Sequence, residues 1–207
     1  MTQKPRSNIT IPTHVLPERW REAAFVAGGY AADPTLADDI DLWVTVPSNW
    51  ELNGAREEIL EHLTAKHFRF YALDDRRTNS GVHVEQQYHV TLDYRKVAKV
   101  TGREGNWPFR KPVHVMVTNG SPLETLLDFD ISTHQVAVLR SGRILPGPDW
   151  TPTSVMPVKL KDTPTTDARM KKIADRYAHL RLPPWQSPRL GPATPFGVVP
   201  VDSEYPF

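Results

Sequence analysis

The chain of 207 residues is long enough for one full hydrophobic core, or for one core with a small appendage. A hydrophobic fraction of 39% and a charged fraction of 24% are typical of globular proteins, and a net charge of +1 excludes nucleic-acid or phosphate binding through bulk charge. The chain has no cysteines, which excludes disulfides, thiolate metal sites and cysteine nucleophiles. It also shows no apolar run typical of a signal peptide or a membrane span, so we expect a cytoplasmic protein with no membrane partner.

The predicted elements mix helices with strands from the start of the chain. Residues 17–24 predict a helix that opens at a proline. An apolar run then ends in Gly28-Gly29, after which residues 30–33 can form one helical turn. Between residues 39 and 46 apolar side chains occupy every second position, which predicts a strand with one apolar face.

The later elements continue this α/β or α+β pattern. They are, in order, a helix over residues 54–67, strands over 68–73, 81–94 and 112–118, a short helix over 121–129 with Ser121 as N-cap, a hairpin around Gly142 and a basic helix over 165–180. Arg76-Arg77 are predicted to lie in a turn.

The end of the chain differs in composition from the rest. Residues 183–207 are rich in proline, which excludes a helix, and their large apolar side chains favour an extended strap over a disordered tail. We therefore predict a domain over residues 1–182, followed by a tail or surface strap over 183–207.

An acidic pair marks the predicted strand after the glycines. Residues i and i+2 of a strand point to the same face, so Asp39 and Asp41 would present two carboxylates to one point. Such a pair suits Mg²⁺, or Mn²⁺, which completes its shell with water and phosphate oxygens. The glycines Gly28 and Gly29 let backbone N–H groups approach a phosphate, so the stretch predicts the two halves of a nucleoside-triphosphate site.

The order Ala27-Gly28-Gly29, nine residues, then Asp39-Ile40-Asp41-Leu42 resembles the signature of the DNA polymerase β-like nucleotidyltransferase superfamily. Residues 112–139 resemble a strand, short helix and Phe-Asp-Ile segment of small viral and cellular members of that group. The resemblance implies a small mixed β-sheet flanked by helices. It also implies an enzyme that transfers a nucleoside monophosphate from a triphosphate such as ATP to an acceptor hydroxyl.

Members of this superfamily usually have a third carboxylate, and three interpretations of it compete here. His114 occupies the expected position on strand 112–118 and could replace the acid as a ligand, which would suit Mn²⁺ or Zn²⁺ better than Mg²⁺. Alternatively, Asp130, or Asp93, could reach in from a neighbouring strand and help to activate the acceptor. The third possibility is that the acid is missing and that catalysis is weakened or absent.

Further nucleotide contacts are predicted from aromatic and basic side chains. Tyr30 could stack on a base, or simply cover the glycine turn. Lys172 and Arg176, with the neighbouring Arg169 and Lys171, could bind the triphosphate or a nucleic-acid backbone, or form an ordinary solvated helix face.

The predicted function is therefore a metal-dependent nucleotidyltransferase, and the sequence leaves its acceptor open among RNA, a protein and a small molecule. One alternative is a nucleotide- or RNA-binding module that has kept the fold and lost the chemistry. Another is an assembly protein that binds neither nucleotide nor metal.

Overall fold

The computed structural model describes residues 9–84, 88–103, 108–176 and 178. The predicted proline-rich segment 183–207, and with it the boundary at residue 182, lies outside these residues. The same holds for the last turn of the predicted helix 165–180. No helix within the described part of the chain combines the length and apolarity needed to cross a membrane.

Within the described residues, seven strands form one mixed sheet in the order β3-β4-β5-β2-β1-β6-β7. The strands are β1 Ala24–Ala27, β2 Ile40–Thr45, β3 Phe68–Val84, β4 Tyr88–Arg103, β5 Val113–Thr118, β6 Val136–Leu139 and β7 Ile144–Pro146. The helices are α1 Gly29–Ala32, α2 Glu51–Ala65, α3 Pro122–Leu127 and α4 Pro164–Arg176. Strands β2 and β5 pair in parallel, and the other neighbours are antiparallel. The prediction of mixed helices and strands is confirmed, and the fold is α+β.

The main core lies between the sheet and α2. The apolar face predicted for β2 is confirmed, because Ile40, Leu42 and Val44 are each at most 1% exposed. Helix α2 buries Leu52, Ala55, Ile59 and Leu63 against this face, at the spacing of an amphipathic helix. The side chains that alternate with the core residues of β2 therefore point to the opposite face of the sheet.

On that opposite face, α3 covers only part of the sheet. The predicted helix start is confirmed: the Ser121 side chain accepts from the Glu124 N–H, and the Glu124 carboxylate accepts from the Ser121 N–H. Leu126 of this helix joins Trp43 of β2 and Met116 of β5 in a second apolar cluster. The polar ends of β2 and β5 lie beyond this cluster, and they form the site described below.

Three local predictions are corrected. Only Glu18–Trp20 form a short 3₁₀ turn in the predicted helix 17–24, because Ala24 already pairs with Val44 of β2. The strand that begins at Phe68 does not stop at residue 73 but continues to Val84, so Arg76-Arg77 lie in β3 and not in a turn. The run 81–94 is not one strand as predicted, because its first residues belong to β3 and its residues from Tyr88 onward belong to β4. Residues 74–80 are polar and do not predict a strand by themselves, but antiparallel pairing with β4 holds them in one. Arg76 also forms an ion pair of 3.0 Å with the buried Asp93 of β4.

Candidate metal centre

The parallel pairing of β2 and β5 brings together three side chains that can hold a metal ion. Asp41 pairs directly with His114, and Asp39 lies just before β2. One ligand atom from each of Asp39, Asp41 and His114 lies within 4.8 Å of the other two. His114 Nδ1 is 3.5 Å from Asp39 Oδ2 and 3.6 Å from Asp41 Oδ1. We refer to these residues as the Asp–Asp–His group.

The group is open to solvent and carries excess negative charge. The exposed fractions are 42% for Asp39, 31% for Asp41 and 29% for His114. Partial burial raises the pKa of Asp39, and the neighbouring Asp41 carboxylate raises it further, against the opposing effect of His114. Two carboxylates that repel each other at a solvent-accessible point favour a cation between them, so the group can chemically accept a divalent metal.

Gly28 allows the carboxylate of Asp41 to lie close to the end of β1. Gly28 has φ +74° and ψ −145°, and a Cβ at this position would lie 3.1 Å from Asp41 Oδ2 and 3.1 Å from Phe129 Cε1. Its N–H donates to the carbonyl of Val136 at 3.1 Å, so this donor is already used within the sheet. Gly28 therefore contributes to the site by leaving room for the Asp41 carboxylate. Of the two glycines, Gly29 is the one whose N–H makes no hydrogen bond among the described residues.

Basic side chains of α4 lie beside the acidic group. Lys172 Nζ is 2.7 Å from Asp38 Oδ2, and Arg176 pairs with the same oxygen. Asp38 directly precedes Asp39, so both predicted nucleotide-binding cations of α4 are held next to the centre. Asp38 was not predicted as a site residue, although its position in the run Asp38-Asp39-Ile40-Asp41 was a signal for it.

The two other acids considered as ligands have different partners. Asp130 is buried, with Oδ1 2.7 Å from Arg169 Nη1 and Oδ2 accepting from the Thr166 hydroxyl at 3.1 Å. Asp93 forms an ion pair with Arg76. Its neighbour Tyr94 lies opposite Thr118, at the other end of β5 from His114. Neither belongs to the Asp–Asp–His group.

The position of Tyr30 corrects its predicted role. The side chain is 8% exposed, belongs to the main core, and its hydroxyl donates to the carbonyl of Thr10 at 3.4 Å. Its ring faces are covered by protein and cannot stack on a base. Tyr30 is therefore a core residue in this structure and not a base-stacking one.

A buried histidine lies against the second glycine. Nε2 and Cε1 of His134 would each lie 3.5 Å from a Cβ at Gly29, and Nε2 has no hydrogen-bond partner among the described residues. Burial, together with the positive charges of Arg169 and Arg176, lowers the pKa of His134 to about 3. The imidazole is thus neutral at physiological pH. Nothing in the local sequence predicted this position.

The low pKa of His134 predicts a loss of stability in acid. Below pH ~6.5 the unfolded chain binds a proton at this residue, whereas the folded chain does so only near its pKa of about 3. The free energy of unfolding should therefore fall, by up to about 1.4 kcal/mol per pH unit from this residue, as the pH decreases through that interval. His134→Gln should reduce this slope in denaturant titrations at a series of pH values. An identical slope in the variant would contradict the prediction.

Comparison with protein-family models, with curated proteins and with solved structures finds no match for this chain. The observations that bear on its function therefore come from the site itself.

Proposed function

We propose that the protein is a metal-dependent nucleotidyltransferase that moves a nucleoside monophosphate from a nucleoside triphosphate to an acceptor hydroxyl. One observation carries this proposal: the Asp–Asp–His group lies against the glycine that follows β1, with Asp41 Oδ2 3.1 Å from the Cβ position of Gly28. A cation site and a glycine turn that begins a helix are the two parts that a triphosphate requires. The resemblance of Gly28-Gly29 and Asp39-Ile40-Asp41 to the nucleotidyltransferase signature supports the same conclusion.

The residues of the site would have separate roles in metal binding and in phosphate binding. Asp39, Asp41 and His114 would hold the metal, which when bound would neutralise charge on the triphosphate and on the departing pyrophosphate. Lys172 and Arg176 would exchange their contacts with Asp38 for contacts with phosphate oxygens. The N–H of Gly29 supplies a further donor. Asp130 takes no part in this scheme, because its carboxylate is engaged by Arg169 and Thr166.

The transfer forms one bond to the α-phosphorus, breaks another, and moves one proton. The acceptor hydroxyl oxygen bonds to the α-phosphorus, the bond from the α-phosphorus to the bridging oxygen of the β-phosphate breaks, pyrophosphate leaves and the hydroxyl proton passes to water. Such phosphoryl chemistry depends mainly on positioning and on charge stabilisation. A site of converging ligands and nearby cations can supply both.

The ligand set favours Mn²⁺ over Mg²⁺. Imidazole nitrogen is a poor ligand for Mg²⁺, whereas Mn²⁺ accepts both carboxylate oxygen and imidazole and suits a triphosphate. We expect His114→Asp, which would give three carboxylates, to shift the preference of the site toward Mg²⁺. Isothermal calorimetry with each metal, on the wild type and on His114→Asp, measures the ratio of the two affinities. An unchanged ratio would remove His114 from the ligand set.

The enzyme proposal is tested with nucleoside triphosphates labelled at the α-phosphate. Label should pass to an acceptor, with release of pyrophosphate, in the presence of Mn²⁺ and only in a chain that retains Asp39 and Asp41. The alternative, a binding module without the chemistry, is favoured by the absence of a third carboxylate from the group. Metal-dependent triphosphate binding with no transfer to RNA, protein or small hydroxyl compounds would support that alternative.

A further inference from the structure

A continuous row of paired residues crosses four strands and ends at the metal centre. Tyr71 of β3 pairs with Lys99 of β4, Lys99 with His114 of β5, and His114 with Asp41 of β2. Directly paired residues of neighbouring strands point to the same face of a sheet. We call this set the Tyr71–Asp41 row, and it lies on the face that carries the Asp–Asp–His group.

The pairs immediately next to this row continue its register, which fixes the face of the sheet on which the row lies. Phe70 pairs with Val100, and Val100 pairs with Val113, one position away along each strand. Val100 and Val113 are fully buried in the main core under α2, and Phe70 packs against that core. Tyr71, Lys99 and His114 must therefore point away from α2.

The outer half of the row carries an exposed aromatic ring and a lysine. Tyr71 is 67% exposed, a high value for a large aromatic side chain on a sheet. Lys99 makes no ion pair or hydrogen bond with any residue that the structure describes. At a spacing of ~4.8 Å per strand, Tyr71 lies about 10 Å from His114.

The arm formed by β3 and β4 is also basic. These two strands contain seven arginines and lysines but only three aspartates. Asp75 and Asp93 form ion pairs with Arg77 and Arg76 of the same arm, so these four charges balance and the excess comes from the remaining basic residues. The excess positive charge therefore complements a polyanion.

We propose that the Tyr71–Asp41 row binds a single strand of nucleic acid, and that the end of this strand is the acceptor of the transfer. A base would stack on Tyr71 and a backbone phosphate would meet Lys99, which places the strand end at the Asp–Asp–His group. The distance of about 10 Å corresponds to about three stacked nucleotides at ~3.4 Å each. The inference rests on the proposed function and names its acceptor.

A sheet face with an exposed aromatic side chain and nearby cations matches the way in which single strands are bound. Bases stack on aromatic rings regardless of sequence, while lysine and arginine follow the backbone. A protein acceptor would instead be expected to meet a larger apolar patch, and Tyr71 is the one large aromatic exposed on the described part of this arm. The row therefore favours nucleic acid over a protein.

The test is fluorescence anisotropy with labelled single-stranded oligouridylate and oligothymidylate, at low salt and without triphosphate, in EDTA and again in Mn²⁺. The variants are Tyr71→Ala, Tyr71→Phe and Lys99→Gln. Matched controls are Trp50→Ala, an aromatic that is 92% exposed at the start of α2, and Lys66→Gln at the end of the same helix. Thermal unfolding without ligand verifies that each variant folds as the wild type does.

We expect Tyr71→Ala to weaken binding at least about fivefold, because one stacking contact is lost, and Tyr71→Phe to retain it. Lys99→Gln should weaken binding and lower the dependence of log K on log salt by about one unit or less. The two controls should bind as the wild type does. A preference for oligouridylate would identify RNA as the source of the strand, and a preference for oligothymidylate would identify DNA.

Two outcomes would overturn the inference: no binding by the wild type, or equal binding by the wild type and by both Tyr71→Ala and Lys99→Gln. Transfer to a protein without any oligonucleotide binding is a case of the first outcome. Because oligonucleotide binding is measured without triphosphate, the result does not depend on the donor site. Oligonucleotide binding without metal-dependent triphosphate binding would support this nucleic-acid surface and contradict the proposed transferase.

Discussion

The double variant Asp39→Asn/Asp41→Asn is expected to lose all metal-dependent stabilisation by nucleoside triphosphates. In the wild type, a triphosphate at about 100 times its Kd should add about 2.7 kcal/mol to the free energy of unfolding. For a chain of this size, that gain corresponds to a rise in Tm of about 5–10 °C. The variant retains the shape of both side chains but lacks the charges that attract the cation. Thermal unfolding with each of the four ribonucleoside triphosphates, with Mn²⁺, with Mg²⁺ and with EDTA, measures the effect.

A matched control separates loss of the site from a general loss of negative charge. Asp74→Asn/Asp149→Asn removes two exposed carboxylates that lie outside the Asp–Asp–His group and should keep the full shift. An equal shift in the wild type and in Asp39→Asn/Asp41→Asn would place triphosphate binding elsewhere. No shift in the wild type with any triphosphate would overturn the donor site altogether.

Gly28→Ala is expected to destabilise the protein and to weaken metal binding together. A non-glycine residue at φ +74° and ψ −145° is strained by about 1–3 kcal/mol. The added Cβ would also meet Asp41 Oδ2 and the Phe129 ring at 3.1 Å, so the carboxylate must move from its place in the group. Denaturant unfolding gives the loss of stability, and Mn²⁺ titration gives the loss of affinity.

Gly54→Ala is the natural control for this substitution. Gly54 lies within α2, with nothing within 4 Å of its Cβ position, so alanine should raise stability by about 0.5–1 kcal/mol and leave metal binding unchanged. If Gly28→Ala bound Mn²⁺ as tightly as Gly54→Ala, the close approach of Asp41 to the glycine would have no bearing on the site.

Local sequence rules predicted the parts of the fold that depend on neighbours along the chain. The alternation in β2 predicted which side chains face the core, and the spacing of Asp39 and Asp41 predicted that their carboxylates converge. The start of α3 followed from Ser121 and Glu124. In each of these cases the interaction spans no more than a few residues, so the local sequence contains the information.

The parts that could not be predicted depend on pairing between distant segments. No periodicity shows that Asp41 pairs with His114, because that register is set by the packing of β2 against β5. The contacts of Lys172 and Arg176 with Asp38 likewise depend on where α4 packs. The length of β3 was missed because its middle, Asp74 to Ser80, is polar and is held in the strand by β4.

The parallel pairing of β2 with β5 has a consequence for how the protein folds. Ile40 of β2 meets Val113 of β5, more than seventy positions later in the chain, whereas β3 and β4 can close as a local hairpin. Contacts of such high sequence separation form slowly, since the entropy of loop closure opposes them until β5 docks. A ribosome-bound chain that has not yet released β5 would have both aspartates but no His114 beside them. In the proposed metal site the third ligand is therefore added only when β5 docks, so a nascent chain that ends before β5 should bind the ion more weakly than the folded protein does.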